Sequence, residues 1–173
     1  MTAGRTNTNQ KSKDWCTPPK YVEAISLFFR NQIELDPCSN QFSIVPAKTK
    51  ISLPIDGLSK EWNYKTIFIN PPYGNDKERK TSIKDWICKC YKSHKEYGSE
   101  ILALIPVATN TRHWKEYIFG KASICFLFDT RLKFMIDGSI DNKGAPMACA
   151  MVYWGNDKEK FSKIFSEYGY VLN

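Results

Sequence analysis

Asn70-Pro71-Pro72-Tyr73 is the segment of this chain best equipped for chemistry. Two consecutive prolines fix φ twice and remove two backbone donors. Their carbonyls remain as acceptors with no N–H of their own competing for them. Asn70 adds a side-chain amide and Tyr73 a flat aromatic face. The cluster suits a planar group that carries an NH2. The amino group donates to the Asn70 side-chain oxygen and the Pro71 carbonyl, while the ring stacks on Tyr73. Two accepted hydrogen bonds draw lone-pair density out of the ring and aim it toward an electrophile. The bland alternative is a rigid turn after a strand.

The elements around this segment must hold it in place. Thr66 to Ile69 is a continuous apolar run rich in β-branched residues, which predicts a buried parallel strand leading directly into Asn70. Upstream, Thr17 as N-cap and Pro18 at the first helical position predict a helix to about Arg30. Ile33 to Leu35 predicts a short strand stopping at Asp36-Pro37, followed by irregular chain over 38–60. Downstream, the pattern predicts a helix from about Ser82 to Tyr97 and a strand from Ile101 to Ile105. A short helix capped by Thr111 and a strand from Ser123 to Phe128 follow. A short strand from Arg131 to Phe134, a strand from Ala148 to Trp154 and a last helix capped by Asp157 complete the pattern. Alternating strands and helices predict an α/β fold, a mostly parallel sheet with helices on both faces. Ligands in such sheets bind beyond the carboxyl ends of the strands, where Asp36-Pro37-Cys38 and Asn70 to Tyr73 both fall.

Composition narrows the class. A length of 173 residues fits one domain, here 14–173, after a floppy basic arm over 1–13. No apolar run approaches the roughly 18 residues of a membrane span, and no secretory signal opens the chain. A cytoplasmic setting, in a bacterium or a phage-infected cell, with free thiols is therefore expected. Six cysteines without a Cys-x-x-Cys pair and only two histidines, His94 and His113, argue against a metal site. The charge of +7 suits a polyanionic partner such as nucleic acid. Residues 77–95 concentrate it, with seven basic side chains against two acidic ones, either touching phosphate or forming a solvated helix face.

The motifs also occur in a telling order: Trp15-x-Thr17-Pro18-Pro19, Leu35-Asp36-Pro37-Cys38, Asp56-Gly57-Leu58, Trp62 and Asn70 to Gly74, then Ile105-Pro106 with Thr109 and Thr111, and Arg131-Leu132-Lys133-Phe134. This ordered set resembles the compact phage-type DNA N6-adenine methyltransferases (Dam-like) over about residues 14–154. The resemblance implies a single-domain, Rossmann-like methyltransferase fold, shortened relative to larger members. It also implies transfer of a methyl group from S-adenosylmethionine to the N6 amino group of adenine in double-stranded DNA. It makes Asn70, Pro71, Pro72 and Tyr73 the catalytic pocket for a flipped-out base.

For the cofactor, the resemblance points to Asp36, Pro37 and Cys38 beyond the first strand, with Asp36 accepting from the ammonium group. It points to Asp56 for the adenine amino group, to Trp15, Thr17 and Pro18 for closure over the methionine end, and to Asn70. Turn capping by Asp36, an ordinary Asp56-Gly57 turn and a core role for Trp15 are the alternatives. Lys84, Arg112, Arg131 and Lys133 are candidates for DNA contact, the last two alternatively for active-site closure, Arg131 and Lys133 sharing one face if extended. A solvated edge strand explains the last two equally well. One departure stands out: the wider class carries a glycine-rich loop after the first strand, and here Cys38 to Phe42 has no glycine. The acid that usually holds the ribose is also not evident. Two other substrates, RNA adenine or a protein glutamine, fit the same pocket, and a catalytically inactive DNA-binding relative keeps the same fold. No separate target-recognition domain fits this length, so site specificity falls to loops or to a homodimer.

Overall fold

Alternation along the central strands divides the core into two layers. In the computed structural model, which describes residues 15–173, Leu102 and Leu104 point to one side of the sheet, and Ile101, Ala103 and Ile105 to the other. The first side is covered by α1 (Pro19–Phe28) and α4 (Lys158–Phe165). The second is covered by α2 (Ile83–Tyr97) and α3 (Arg112–Tyr117). Helices thus lie on both faces of one sheet, an α/β architecture. Residues 1–13, the expected basic arm, lie outside the described residues.

The strands in chain order are β1 (Leu35–Asp36), β2 (Thr49–Lys50), β3 (Thr66–Ile69), β4 (Glu100–Pro106), β5 (Ser123–Leu127), β6 (Met135–Ile136), β7 (Ser139–Ile140), β8 (Cys149–Trp154) and β9 (Gly169–Leu172). Seven form one sheet in the order β2-β1-β3-β4-β8-β5-β9. Five run parallel; β8 and β9 run against them. β6 and β7 form a separate hairpin. The reversal of β8 has a physical cause. The chain between β5 and β8 contains that hairpin and no crossover helix, so it returns alongside β5 in the antiparallel sense. The sheet is mostly parallel, as expected, with an antiparallel outer half.

Local chemistry fixes the boundaries. Ser82 and Asp85 form a capping box at the start of α2, and Gly98, at φ 68°, ends it in the left-handed region with its N–H donating to the His94 carbonyl. Asp157 caps α4 by accepting from the Lys160 N–H.

Several sequence expectations need correction. Pro18, not Thr17, occupies the N-cap position of α1, and the Thr17 hydroxyl caps nothing. That helix ends at Phe28 because Arg30 and Asn31 adopt positive φ. The first strand is shifted to Leu35–Asp36, and β2 lies within the stretch expected to be irregular. Arg131 to Phe134 is extended but joins no strand ladder; instead the Leu132 and Phe134 carbonyls accept from the Ala145 and Asp141 N–H groups.

Candidate active site at the carboxyl edge of the sheet

Because β1, β3, β4 and β5 are parallel, the loops that follow them gather at one edge of the sheet. Two of these loops, after β1 and after β3, line two adjoining cavities. A smaller cavity of about 10 Å³ is walled by Trp15, Thr17, Asp36, Cys38, Asn70 and neighbouring side chains. A larger one of about 70 Å³ is walled by Pro37, Cys38, Ile51, Asp56, Gly57, Pro72, Gly74 and others. Cys38 belongs to both walls.

The smaller cavity is the polar one. Asp36 is 3% exposed, and burial pushes its carboxyl up to about 6 despite the Cys38 N–H it accepts from at 3.2 Å and the Lys50 ammonium nearby. Thr17 Oγ1 and Trp15 Nε1 are buried and have no hydrogen-bond partner among the described residues. A buried carboxylate and two unpaired donors on the wall of one cavity complement an amino acid's ammonium and carboxylate. The Cys38 thiol is pushed well above its ordinary range by burial, then by Asp36, so it stays protonated.

Asn70 follows the last residue of β3. Its Nδ2 donates to the Trp15 carbonyl at 2.9 Å, which leaves Oδ1 as the amide's acceptor. Pro71 is buried. Tyr73 is 9% exposed, its hydroxyl donating to the Leu104 carbonyl at 3.1 Å. Trp15 and Phe134 both meet the Tyr73 ring at nearly right angles and stack on each other. The strap carrying Trp15 is held by a two-bond bridge between Cys16 and Met135.

The larger cavity explains the absence of glycines after β1. Gly57 lies so close to the next loop that a Cβ there would fall 1.8 Å from the Pro37 carbonyl oxygen. The glycine that permits close approach stands on the facing turn, not in the loop itself. Asp56 caps that turn through the Leu58 N–H at 2.9 Å, and Lys89 bonds the Leu58 carbonyl at 2.6 Å from α2. Asp56 is therefore a turn cap that also lines the cavity.

The structure draws Trp15, Thr17, Asp36, Cys38 and Asn70 around one cavity and Pro37, Cys38, Asp56 and Pro72 around its neighbour. Pro18 stands apart, in a surface groove with Pro19, Lys20, Asp129, Arg131 and Lys133. Arg131 and Lys133 point outward while Leu132 and Phe134 are buried, the alternation of an extended segment. Lys84 is exposed in the first turn of α2, and Arg112 pairs with Glu116 at 2.5 Å on α3. The basic run over 77–95 is partly spent inside the fold: Lys89 holds backbone carbonyls and Arg79 pairs with Asp76. The stacking of Phe134 and the close approach of Gly57 were not read from the sequence, although both residues lie in its motifs. A glycine facing a proline-bearing loop was the available signal for Gly57. Among the described residues no cluster of three His, Cys, Asp or Glu side chains could hold a metal ion.

An open, mostly parallel α/β sheet with its polar clefts at the carboxyl ends of the strands defines a ligand-binding α/β domain. The chain belongs to the DNA N-6-adenine-methyltransferase (Dam) family, whose model matches residues 5–171. No curated protein and no solved structure matches it. No helix among the described residues is long and apolar enough to cross a membrane.

Proposed function

We propose that this protein transfers a methyl group from S-adenosylmethionine to the N6 amino group of adenine in double-stranded DNA, with the base flipped into the pocket of Asn70 to Tyr73. The reading rests on one observation above the others. The Asn70 amide is tied by its donor to Trp15, so its oxygen is the atom left to accept at the wall of the smaller cavity, next to the Pro72 and Gly74 that line the larger one.

The cavity residues fit the cofactor. Asp36 would hold its ammonium group, Thr17 would donate to its carboxylate, and the wall formed by Pro37, Cys38, Ile51 and Asp56 would enclose its nucleoside. When bound, it supplies a methyl group on a sulfonium, an excellent leaving group. The protein's task is then alignment, which can lower a barrier by roughly 7–11 kcal/mol. Asn70 Oδ1 and the Pro71 carbonyl accept from the amino group and stabilise the positive charge that grows on nitrogen. Protonated Cys38 does not compete for the methyl group. Lys84 and Arg112 on one side, and Arg131 and Lys133 on the other, would neutralise phosphates flanking the extruded base.

The test is incubation with methyl-labelled cofactor and unmethylated duplex DNA, followed by digestion to nucleosides. The label is expected in N6-methyldeoxyadenosine. Label in cytosine, or no label in the DNA, would contradict the reading.

A further inference from the structure

Tyr73 is 9% exposed, too buried for a base to stack on its ring. Trp15 lies 5.8 Å from it at 89°, and Phe134 lies 5.7 Å from it at 81°. Trp15 and Phe134 stack on each other at 4.8 Å and 8°. The Tyr73 hydroxyl is anchored inward on the Leu104 carbonyl. A flipped base cannot enter this cluster unless one ring leaves it.

Trp15 is the ring able to leave. Phe134 is 1% exposed and Tyr73 9%, whereas Trp15 is only partly buried. Its indole N–H is buried without a partner among the described residues, so the present position forgoes a hydrogen bond available elsewhere. Its carbonyl, not its ring, holds the Asn70 amide. The ring can therefore turn about its own side-chain torsions while Asn70 keeps its orientation. Indole and purine are both fused five- and six-membered aromatic rings of nearly equal size, so the space one vacates the other fills.

We propose that Trp15 is a placeholder for the target base. Its indole fills the slot against Phe134 and beside Tyr73, and swings out as the purine enters to stack on Phe134. This rests on the reading of the protein as a DNA adenine methyltransferase. It also gives a reason for choosing adenine over cytosine, whose amino group is equally planar: a slot shaped for a bicycle is left part-empty by a single ring.

The experiment has two arms, with methylation of the same DNA by the wild type followed in parallel. In the first, Trp15→Ala vacates the slot and should bind 9-methyladenine at least about tenfold more tightly than the wild type does, with little gain for 1-methylcytosine. In the second, acrylamide quenching of tryptophan fluorescence is measured with and without excess unmethylated duplex DNA. Trp62, Trp86, Trp114 and Trp154 are all at most 7% exposed, so a DNA-dependent rise in quenching reports Trp15. The rise is expected in the wild type and absent in Trp15→Phe. Where Trp15→Ala does not fold, the quenching result decides. If the wild type methylates adenine in that DNA while its quenching stays unchanged, the placeholder is wrong and the methyltransferase reading stands. If it methylates no adenine, both fall.

Discussion

The two halves of the sheet are built differently. On the β8-β5-β9 side, β4 and β8 pair over six residues from Ile101↔Trp154 to Pro106↔Cys149, and both faces are packed. On the β2-β1-β3 side, β1 and β2 have two residues each, and β1 meets β3 through one register pair, Leu35↔Ile67. The long ladder carries the apolar core. The short strand β1 ends in a buried carboxyl, Asp36, which faces the strap before α1 with its unpaired donors at Trp15 and Thr17. One half holds the fold, and the other gives up local stability to present polar groups to a ligand. If so, substitutions in the two halves should separate stability from activity.

Trp154→Ala should have the largest effect. This residue is fully buried and its Nε1 donates to the Tyr117 carbonyl at 2.8 Å. Its loss should cost about 3–5 kcal/mol. Denaturant titration should show the loss, and the fraction that remains folded should keep its cofactor affinity. A variant as stable as the wild type would break the contrast on the ladder side.

Asp36→Asn should act in the opposite sense. Burial raises the folded-state pKa of Asp36 from 3.8 to about 6, so between those values the folded protein holds a proton that the unfolded chain has released. Stability contributed by this group is present below about pH 4 and lost as pH rises through 6, up to about 3 kcal/mol in all. The variant should lack that slope and be about 1–3 kcal/mol more stable at pH 7. It should bind cofactor at least about tenfold more weakly, since a charge-assisted bond is worth roughly 1.5–3 kcal/mol. In the wild type, cofactor affinity should fall as pH drops through 6. Calorimetry against pH checks each point, and unchanged affinity in the variant would make Asp36 purely structural.

Tyr73→Phe removes the bond to the Leu104 carbonyl and should cost about 1 kcal/mol of stability while keeping most methyl transfer. A variant as inactive as Tyr73→Ala would instead give the hydroxyl a chemical role. The smallest effect on folding is expected at Lys84 and Arg112, both exposed. Replacing both with Ala should leave the thermal midpoint unchanged and lower the salt dependence of DNA binding by about one charge for each residue that contacts a phosphate. An unchanged slope would remove both from the DNA interface.

The same contrast governs what the sequence revealed. Thr66 to Ile69 was readable because a buried parallel strand is a continuous apolar run, and the bounds of α2 because Ser82 and Gly98 are strong signals. The direction of β8 was not, since a strand packed on both faces has the same apolar pattern either way. β9 escaped because Tyr170 and Leu172 are exposed at an edge. At Arg131 to Phe134 the alternation gave the side-chain directions correctly, but alternation does not specify which backbone partner the segment finds. In the site, single residues stood out by type, whereas their contacts were invisible. The Asn70 bond to Trp15 spans 55 residues and depends on a backbone carbonyl, which leaves no mark on residue identity. The expectation that Thr17 caps α1 failed because the helix starts one residue later, with Pro18 at the N-cap, leaving the Thr17 hydroxyl unpaired at the wall of the smaller cavity.

The most direct measurement pairs single-turnover methyl transfer to duplex DNA with cofactor titration, for the wild type and Asn70→Ala. Asn70 presents its oxygen to the substrate nitrogen, so the variant should lose about 100-fold in rate, about 3 kcal/mol, while its cofactor affinity stays within a fewfold. Equal rates for the two proteins would contradict the central claim that this edge of the sheet is where the amino group is held and methylated.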